Sequence, residues 1–262
     1  MTPILLLGGA GRMGWALVTG WRRANAFAVS ELMIRDPSPG PEAQASGINL
    51  HPTREALRAA QTVVLVVKPQ IWREVAAQVA DDLAPDAVIV SVAAGVATAD
   101  IAAAFGGRRV ARVMPTTAAA IGQGTASVYS ADAAARVRAH ALLEPVGTVV
   151  DLADEDLMHA ATAVSGSAPA YLYAFVEALQ AAGEQLGLPA DAARQLARAT
   201  TAGAAALMAE SGKDAAELRR QVTSPAGTTE AALKVLLGDQ GLAPLLGEAA
   251  AAAARRSREL GG

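Results

Sequence analysis

Hydrophobic positions follow two different rhythms along the chain. In the first half, short continuous apolar runs alternate with amphipathic stretches. The runs are 4–7 (ILLL), 31–34 (ELMI), 62–67 (TVVLVV), 87–92 (AVIVSV) and 109–114 (RVARVM). Runs of this length, rich in β-branched residues and apolar at nearly every position, mark strands buried on both faces. Between them, apolar positions recur at helical spacing, as in 13–23 and 70–83. Strands alternating with helices predict a parallel sheet covered on both sides. Two further runs, 126–130 (ASVYS) and 147–152 (GTVVDL), predict two more strands.

From residue 154 the β-branched runs stop, and the period becomes helical throughout. Helices are predicted over 154–163, 168–186, 190–211, 214–223, 228–237 and 242–260, with breaks at 183–189 and 211–213. The chain therefore divides into an α/β domain, 1–153, with a doubly wound parallel sheet of the Rossmann type, and an all-α domain, 154–262. In the second domain alanine and leucine recur on more than one helix face. Such faces predict burial against a partner, most simply in a homodimer.

Composition narrows the function classes. Hydrophobic residues make up 52% and charged residues 18%, so the chain is packed rather than disordered. A net charge of −3 provides no electrostatic reason for nucleic-acid binding. The absence of cysteine removes disulfides, thiolate nucleophiles and zinc–thiolate sites. No HExxH motif or paired-carboxylate spacing appears, so no metal site is expected. The opening MTPILLLGGAGRMG lacks the basic start of a secretory signal. The longest uncharged run, 160–176, contains Gly166 and Pro169 and falls short of the ~20 apolar residues of a membrane span. A soluble, cytoplasmic protein is expected.

The first strand runs directly into Gly9-Ala10-Gly11-Arg12-Met13-Gly14 and then a helix. GxGxxG between strand and helix at the head of a β/α chain is a dinucleotide-binding signature. Gly9 permits the tight turn, Gly11 lets a pyrophosphate approach the backbone, and Gly14 lets helix and strand pack closely. Asp36, about 20 residues beyond the glycines, stands where an acid accepts from an adenosine ribose. Its neighbour Arg35 could instead pair with a 2′-phosphate, so both NADH and NADPH are open. Two more strand ends face the same crevice: Lys68-Pro69, which could bind ribose hydroxyls or phosphate, and Ala93-Ala94-Gly95, small enough for a nicotinamide ring to lie against the backbone.

A nicotinamide enzyme needs no protein nucleophile, because the cofactor supplies the hydride. Acid–base candidates are correspondingly scarce. His51 lies in a loop, His140 on a polar helix beside Arg136 and Arg138, and His159 at the start of the second domain. The polar spots of that domain are 163–175 (AVSGSAPAYLYAF) and 223–236 (TSPAGTTEAALKVL). The latter gathers Thr223, Ser224, Thr228 and Thr229 at one helix start, with Thr228 a natural N-cap. One cap does not require four hydroxyls, and a glycine-bearing loop opening a helix is an anion site suited to a carboxylate.

Taken together, GAGRMGWAL, VVKPQ, SVAAGV, RVMPTT, GQGTASVYS, AVSGSAPAYLYAFVEAL, GLP and QVTSPAGTTEAALKVL resemble the pyrroline-5-carboxylate reductase family in order and spacing. The resemblance covers nearly the whole chain. It implies a Rossmann domain, a helical dimerisation domain, and reduction of 1-pyrroline-5-carboxylate to L-proline by NADPH or NADH. Members often assemble further into rings of dimers. By motif, Thr229 would hydrogen-bond the ring nitrogen, Ser224 would help form the pocket, and the backbone N–H groups of Gly227, Thr228 and Thr229 would hold the substrate carboxylate. The sequence departs from the family pattern at Arg12, Thr116, Ala118, Ala168 and Ala226. Thr116, Ala118 and Ala168 leave a related imine or ketone reductase as an alternative; a non-catalytic dinucleotide-binding regulator is a third reading.

Overall fold

A computed structural model of the chain describes residues 1–260. All seven predicted strands are present: β1 (Ile4–Leu7), β2 (Leu32–Arg35), β3 (Thr62–Leu65), β4 (Val88–Ser91), β5 (Val110–Pro115), β6 (Gly124–Tyr129) and β7 (Gly147–Asp151). They form one sheet in the order β2-β1-β3-β4-β5-β6-β7. Beyond β2, Asn49 makes a single parallel bridge to Met33, and its carbonyl accepts the Ile34 N–H at 2.9 Å. With that bridge counted as a reduced strand, the first strands reproduce the order of a dinucleotide-binding sheet, whose crevice opens at the strand C-termini where the chain reverses direction beside β1.

Side-chain alternation explains the two covered faces. Ile4 and Leu6 of β1, Val64 of β3 and Val88 and Val90 of β4 join one core with Leu17, Val18 and Trp21 of α1 (Arg12–Arg23). Their neighbours Leu5, Leu7, Val63, Leu65 and Ile89 point the other way. That second core is closed by Leu57 of α3 (Arg54–Ala59), Trp72 and Ala76 of α4 (Trp72–Val79) and Ile101 of α5 (Thr98–Ala104); a short α2 (Pro41–Gln44) precedes α3. A strand buried on both sides has no polar positions to alternate, which is why the runs are uniformly apolar.

The sheet differs from expectation in one respect. β1 to β5 are parallel, but β6 runs antiparallel to β5, and β7 is parallel to β6. The connection 116–123 contains only a short turn, Thr117–Ile121, whereas a parallel crossover needs about a dozen residues or more. The helix α6 (Ala133–Leu143) then supplies such a crossover between β6 and β7.

The chain separates into two compact units: Met1–Gly166 together with the chain from Ala251 on, and Ser167–Ala250. The first unit thus extends past the boundary expected at 153/154. The reason is that α7 (Leu157–Ala161) and the π-turn that follows it, Thr162–Gly166, pack on β5 and β6. Gly166 lies against Met114: a Cβ there would be 3.3 Å from the Met114 sulfur.

The second unit holds α8 (Ala168–Gln185), α9 (Ala190–Ser211), α10 (Ala215–Gln221), α11 (Thr228–Leu236) and the start of α12 (Leu242–Glu259). Gly183 is not a break: α8 continues through it, and its bare Cα lets Ala193 of α9 pack close. Within this unit Ala193 and Ala197 are the buried apolar residues, while Leu172, Tyr173, Leu207, Val235 and Leu245 are each more than half exposed. One chain therefore leaves a broad apolar helical surface uncovered. Among the described residues, no helix is long and apolar enough to cross a membrane.

Candidate active site

The GxGxxG turn forms as its glycines require. A Cβ on Gly14 would sit 2.5 Å from the Gly9 carbonyl oxygen and 2.6 Å from the Gly9 Cα, so only glycine lets α1 start against the turn. Gly11 differs. A Cβ there meets only the Gly8 carbonyl oxygen, at 3.5 Å, leaving its outer side open. Gly11 is the N-cap of α1, with no side-chain cap and no acid in the first turn. The first helical bond is Trp15 N–H to the Gly11 carbonyl at 2.8 Å. Among the described residues, the N–H groups of Arg12, Met13 and Gly14 thus have no protein acceptor. Three bare donors and the positive end of the helix dipole are what a pyrophosphate requires.

Beside this turn, at the C-terminal ends of β1, β2 and β3, lies a cleft of about 1110 Å³. It brings together Gly8, Arg35, Asp36 and Lys68 with Leu50, His51, Ile71 and Val75. The walls suit an adenosine, apolar on the ring side and charged on the ribose side. His51 belongs to this wall; the sequence carried no sign of it, because His51 reaches the cleft from the loop after the Asn49 bridge. Asp36 accepts hydrogen bonds from the Ala10 N–H (3.1 Å) and the Ser38 N–H (2.9 Å). Its carboxylate is therefore fixed beside the glycine turn as a charged acceptor. Ala93, Ala94 and Gly95 do not line this cleft. They form the turn after the adjacent strand β4, with Gly95 at φ +83°. Arg12 instead lines a second cleft of about 710 Å³, with Trp15, Thr19, Glu42 and Thr117.

In the second unit, the helix-start motif takes a specific shape. Gly227, rather than Thr228, is the N-cap of α11, so the expected threonine cap is absent and Thr228 is the first helical residue. The chain turns so tightly at Pro225 and Ala226 that the cap position falls one residue early. The Gly227 N–H closes a turn on the Ser224 carbonyl at 3.1 Å, and Ala226 takes φ +56°. Proline second and positive φ third is the pattern of a type II turn, where glycine is the usual occupant. Glu230 accepts from the Ala226 N–H at 2.7 Å and pins the turn to the helix. The first helical bond is Ala231 N–H to the Gly227 carbonyl at 3.2 Å. The N–H groups of Thr228, Thr229 and Glu230 are left without a protein acceptor among the described residues. Thr223 is committed elsewhere, its hydroxyl donating to the Arg219 carbonyl. Among the described residues the hydroxyls of Ser224, Thr228 and Thr229 have no such protein partner, and Thr229 is half-buried.

The remaining polar candidates are structural. Thr116 is buried, and its hydroxyl accepts the Thr125 N–H at 3.0 Å, tying β5 to β6. The hydroxyls of Thr162 and Ser165 donate back to the Met158 and Ala161 carbonyls. His159 lies 3.0 Å from the Ser257 hydroxyl; burial, then the nearby Arg112 and Arg258, push its pKa below the usual histidine value. No cluster of metal-ligating side chains occurs among the described residues.

A doubly wound sheet, an uncapped glycine turn and a charged cleft beside it define an NAD(P)-dependent oxidoreductase with a Rossmann domain and a helical domain. Comparison with known proteins places it more closely. Residues 155–260 match the model for pyrroline-5-carboxylate reductase dimerisation, and residues 3–95 match the model described as NADP oxidoreductase coenzyme F420-dependent. The chain is 40% identical to the pyrroline-5-carboxylate reductase of Pseudomonas aeruginosa, with 99% of this chain and 97% of that one covered. It is 37% identical to the Pisum sativum enzyme over 96% and 94% of the two chains. Among solved structures, the Coxiella burnetii reductase superimposes with a TM-score of 0.90 at 32% identity, covering 100% and 99%. The Plasmodium falciparum enzyme with NADP bound superimposes with 0.85 at 25% identity, covering 100% and 98%. The chain belongs to the pyrroline-5-carboxylate reductase family.

Proposed function

We infer that this protein reduces 1-pyrroline-5-carboxylate to L-proline with NADPH or NADH, the last step of proline biosynthesis. The observation that carries the reading is the Ser224–Thr229 turn. It presents three bare N–H groups at a helix start, beside three hydroxyls without protein partners among the described residues. The substrate is a cyclic imine bearing a carboxylate. The N–H groups of Thr228 and Thr229 are assigned to the carboxylate, assisted by the positive end of α11; the Gly227 N–H, expected beside them, is instead taken by the Ser224 carbonyl, so Gly227 serves by shaping the turn. The Thr229 hydroxyl is assigned to the ring nitrogen, and Ser224 to the pocket wall.

When bound, the nicotinamide supplies the hydride. In the Rossmann domain, Gly9, Gly11, Arg12, Met13 and Gly14 are assigned to the pyrophosphate, and Arg35, Asp36, Lys68 and Pro69 to the adenosine half. Ala93, Ala94 and Gly95 are assigned to the nicotinamide half. A protonated imine already accepts a hydride readily, so the chain needs to orient it rather than activate it. This accords with the structural roles of Thr162, Ser165 and His159. In this reading residues 1–153 serve the cofactor, and residues 154–262 serve substrate and dimerisation. The uncovered apolar helices of the second unit support a homodimer, and the reading extends to a ring of such dimers in the cytoplasm. Purified protein mixed with NADPH or NADH should oxidise it only when pyrroline-5-carboxylate is added. No turnover with either cofactor would refute the reading.

A further inference from the structure

Arg112 is an unexpected residue for the middle of a sheet. It lies on β5, paired in register with Ser91 of β4 and Tyr129 of β6, and its side chain is 2% exposed. Burial pulls its pKa down, opposed by the hydrogen bond and charge of Glu155. One guanidinium nitrogen, Nη1, meets Glu155 at 3.2 Å, while Nε and Nη2 are buried with no acceptor among the described residues. A buried ion pair is a weak source of stability, and one with two donors left bare is weaker still. Replacing such a pair by apolar residues of similar volume is often neutral or stabilising. The arrangement calls for another explanation, and Glu155 supplies it.

The Glu155 carboxylate faces Arg112 on one side and the start of α5 on the other. It accepts the Thr98 N–H at 2.8 Å and the Thr98 hydroxyl at 2.7 Å. The N-cap of α5, Ala97, has no side chain able to do this. Glu155 thus caps α5 from a distant part of the chain, and Arg112 fixes where that carboxylate stands. The segment so anchored is 93–97, the turn between β4 and α5. Its other end is held where the Ala93 N–H donates to the Ser91 hydroxyl at 3.2 Å.

We propose that Glu155, oriented by Arg112, is a positioning residue that fixes the 93–97 turn and through it the nicotinamide half of the cofactor. The inference rests on the assignment of Ala93–Gly95 made above. It does not involve the glycine turn or the Asp36 cleft, and that separation makes it testable.

The test uses the full-length protein as wild type, Glu155→Gln, Thr98→Ala, Thr98→Ser and the double variant Arg112→Met with Glu155→Gln. The double variant removes the buried charge along with its partner, so it remains measurable if Glu155→Gln alone does not fold. Dissociation constants are measured for NADPH and NADH, and separately for ADP-ribose, which lacks the nicotinamide. Amide exchange of 93–98 and of 9–14 is followed in the cofactor-free protein. Loss of about one hydrogen bond should weaken NADPH and NADH about five- to tenfold, with ADP-ribose unchanged within about twofold. Exchange should quicken at 93–98 and not at 9–14, and Thr98→Ser should restore wild-type behaviour in both measurements. Equal weakening of all three ligands, or unaltered exchange at 93–98, would overturn the proposal. A wild type that binds ADP-ribose but neither dinucleotide would instead refute the cofactor assignment on which it rests.

Discussion

Two alanine substitutions three residues apart should separate what the glycine turn does for stability from what it does for the cofactor. In Gly14→Ala the new Cβ would lie 2.5–2.8 Å from three backbone atoms of Gly9. Backbone cannot swing aside as a side chain can, so α1 or the turn must move. Overpacking of this kind costs about 1–3 kcal/mol, and better helix propensity returns about 0.8–1 kcal/mol. The net is a loss of about 0–2 kcal/mol; at the midpoint, about 1 kcal/mol, Tm falls by about 2–4 °C in a chain of this size. In Gly11→Ala the nearest atom is 3.5 Å away, and φ is −72°, which any residue adopts. Gly11 is the N-cap of α1, where alanine is poorer than glycine, so stability should fall by less than about 1 kcal/mol. The methyl group, however, occupies the open side of the turn, where a pyrophosphate would approach. The dissociation constant for NADPH should rise tenfold or more, equivalent to about 1.4 kcal/mol. Calorimetric melting and fluorescence titration of both variants give the two numbers. Wild-type affinity in Gly11→Ala, or a larger Tm loss there than in Gly14→Ala, would refute this division of labour.

Other expectations follow from the same geometry. Ala226→Gly removes an L-residue from the left-handed region and should stabilise the fold by about 0.5–1 kcal/mol, read by urea denaturation; destabilisation would contradict the positive φ. Asp36→Ala should lose more affinity for NADH, and Arg35→Ala more for NADPH; an unchanged ratio of dissociation constants in both would remove these residues from the ribose end. Hydrogen bonds from the His140 ring to Glu144 and then Asp151 hold the His140 pKa above the usual histidine value. Because the folded pKa is raised, the stabilisation is complete below about pH 6.5 and disappears as pH climbs through the folded value. Wild type should therefore exceed His140→Gln in unfolding free energy at pH 6 by more than at pH 8, and a pH-independent difference would contradict the pairing.

The strands were legible because burial on both faces leaves no polar residue to blur an apolar run. The direction of β6 was not, since it depends on how much chain lies between Pro115 and Gly124 rather than on the composition of either strand. The glycine turn could be read because Gly9 and Gly14 answer steric demands that act within a few residues, while Gly11 leaves the helix start open. His51 could not: it reaches the Asp36 cleft only once the Asn49 bridge has set the path of its loop. The motif at 224–229 is visible as an excess of hydroxyls, but its cap falls at Gly227 rather than Thr228. The left-handed Ala226 shifts the helix start by one residue, and alanine carries no signal for that conformation. Arg112 and Glu155 meet across 43 positions of sequence, and nothing local to either marks the contact.

In the proposed site the turn at Ser224–Thr229 holds the pyrroline carboxylate, and Thr229 meets its ring nitrogen. The most direct test compares NAD(P)H oxidation driven by pyrroline-5-carboxylate in wild type and Thr229→Ala. Robust turnover is expected in wild type, with a fall in kcat/KM equivalent to about 1–3 kcal/mol in the variant and NADPH affinity unchanged. A variant as fast as wild type, or a wild type inert toward pyrroline-5-carboxylate with both cofactors, would contradict this assignment.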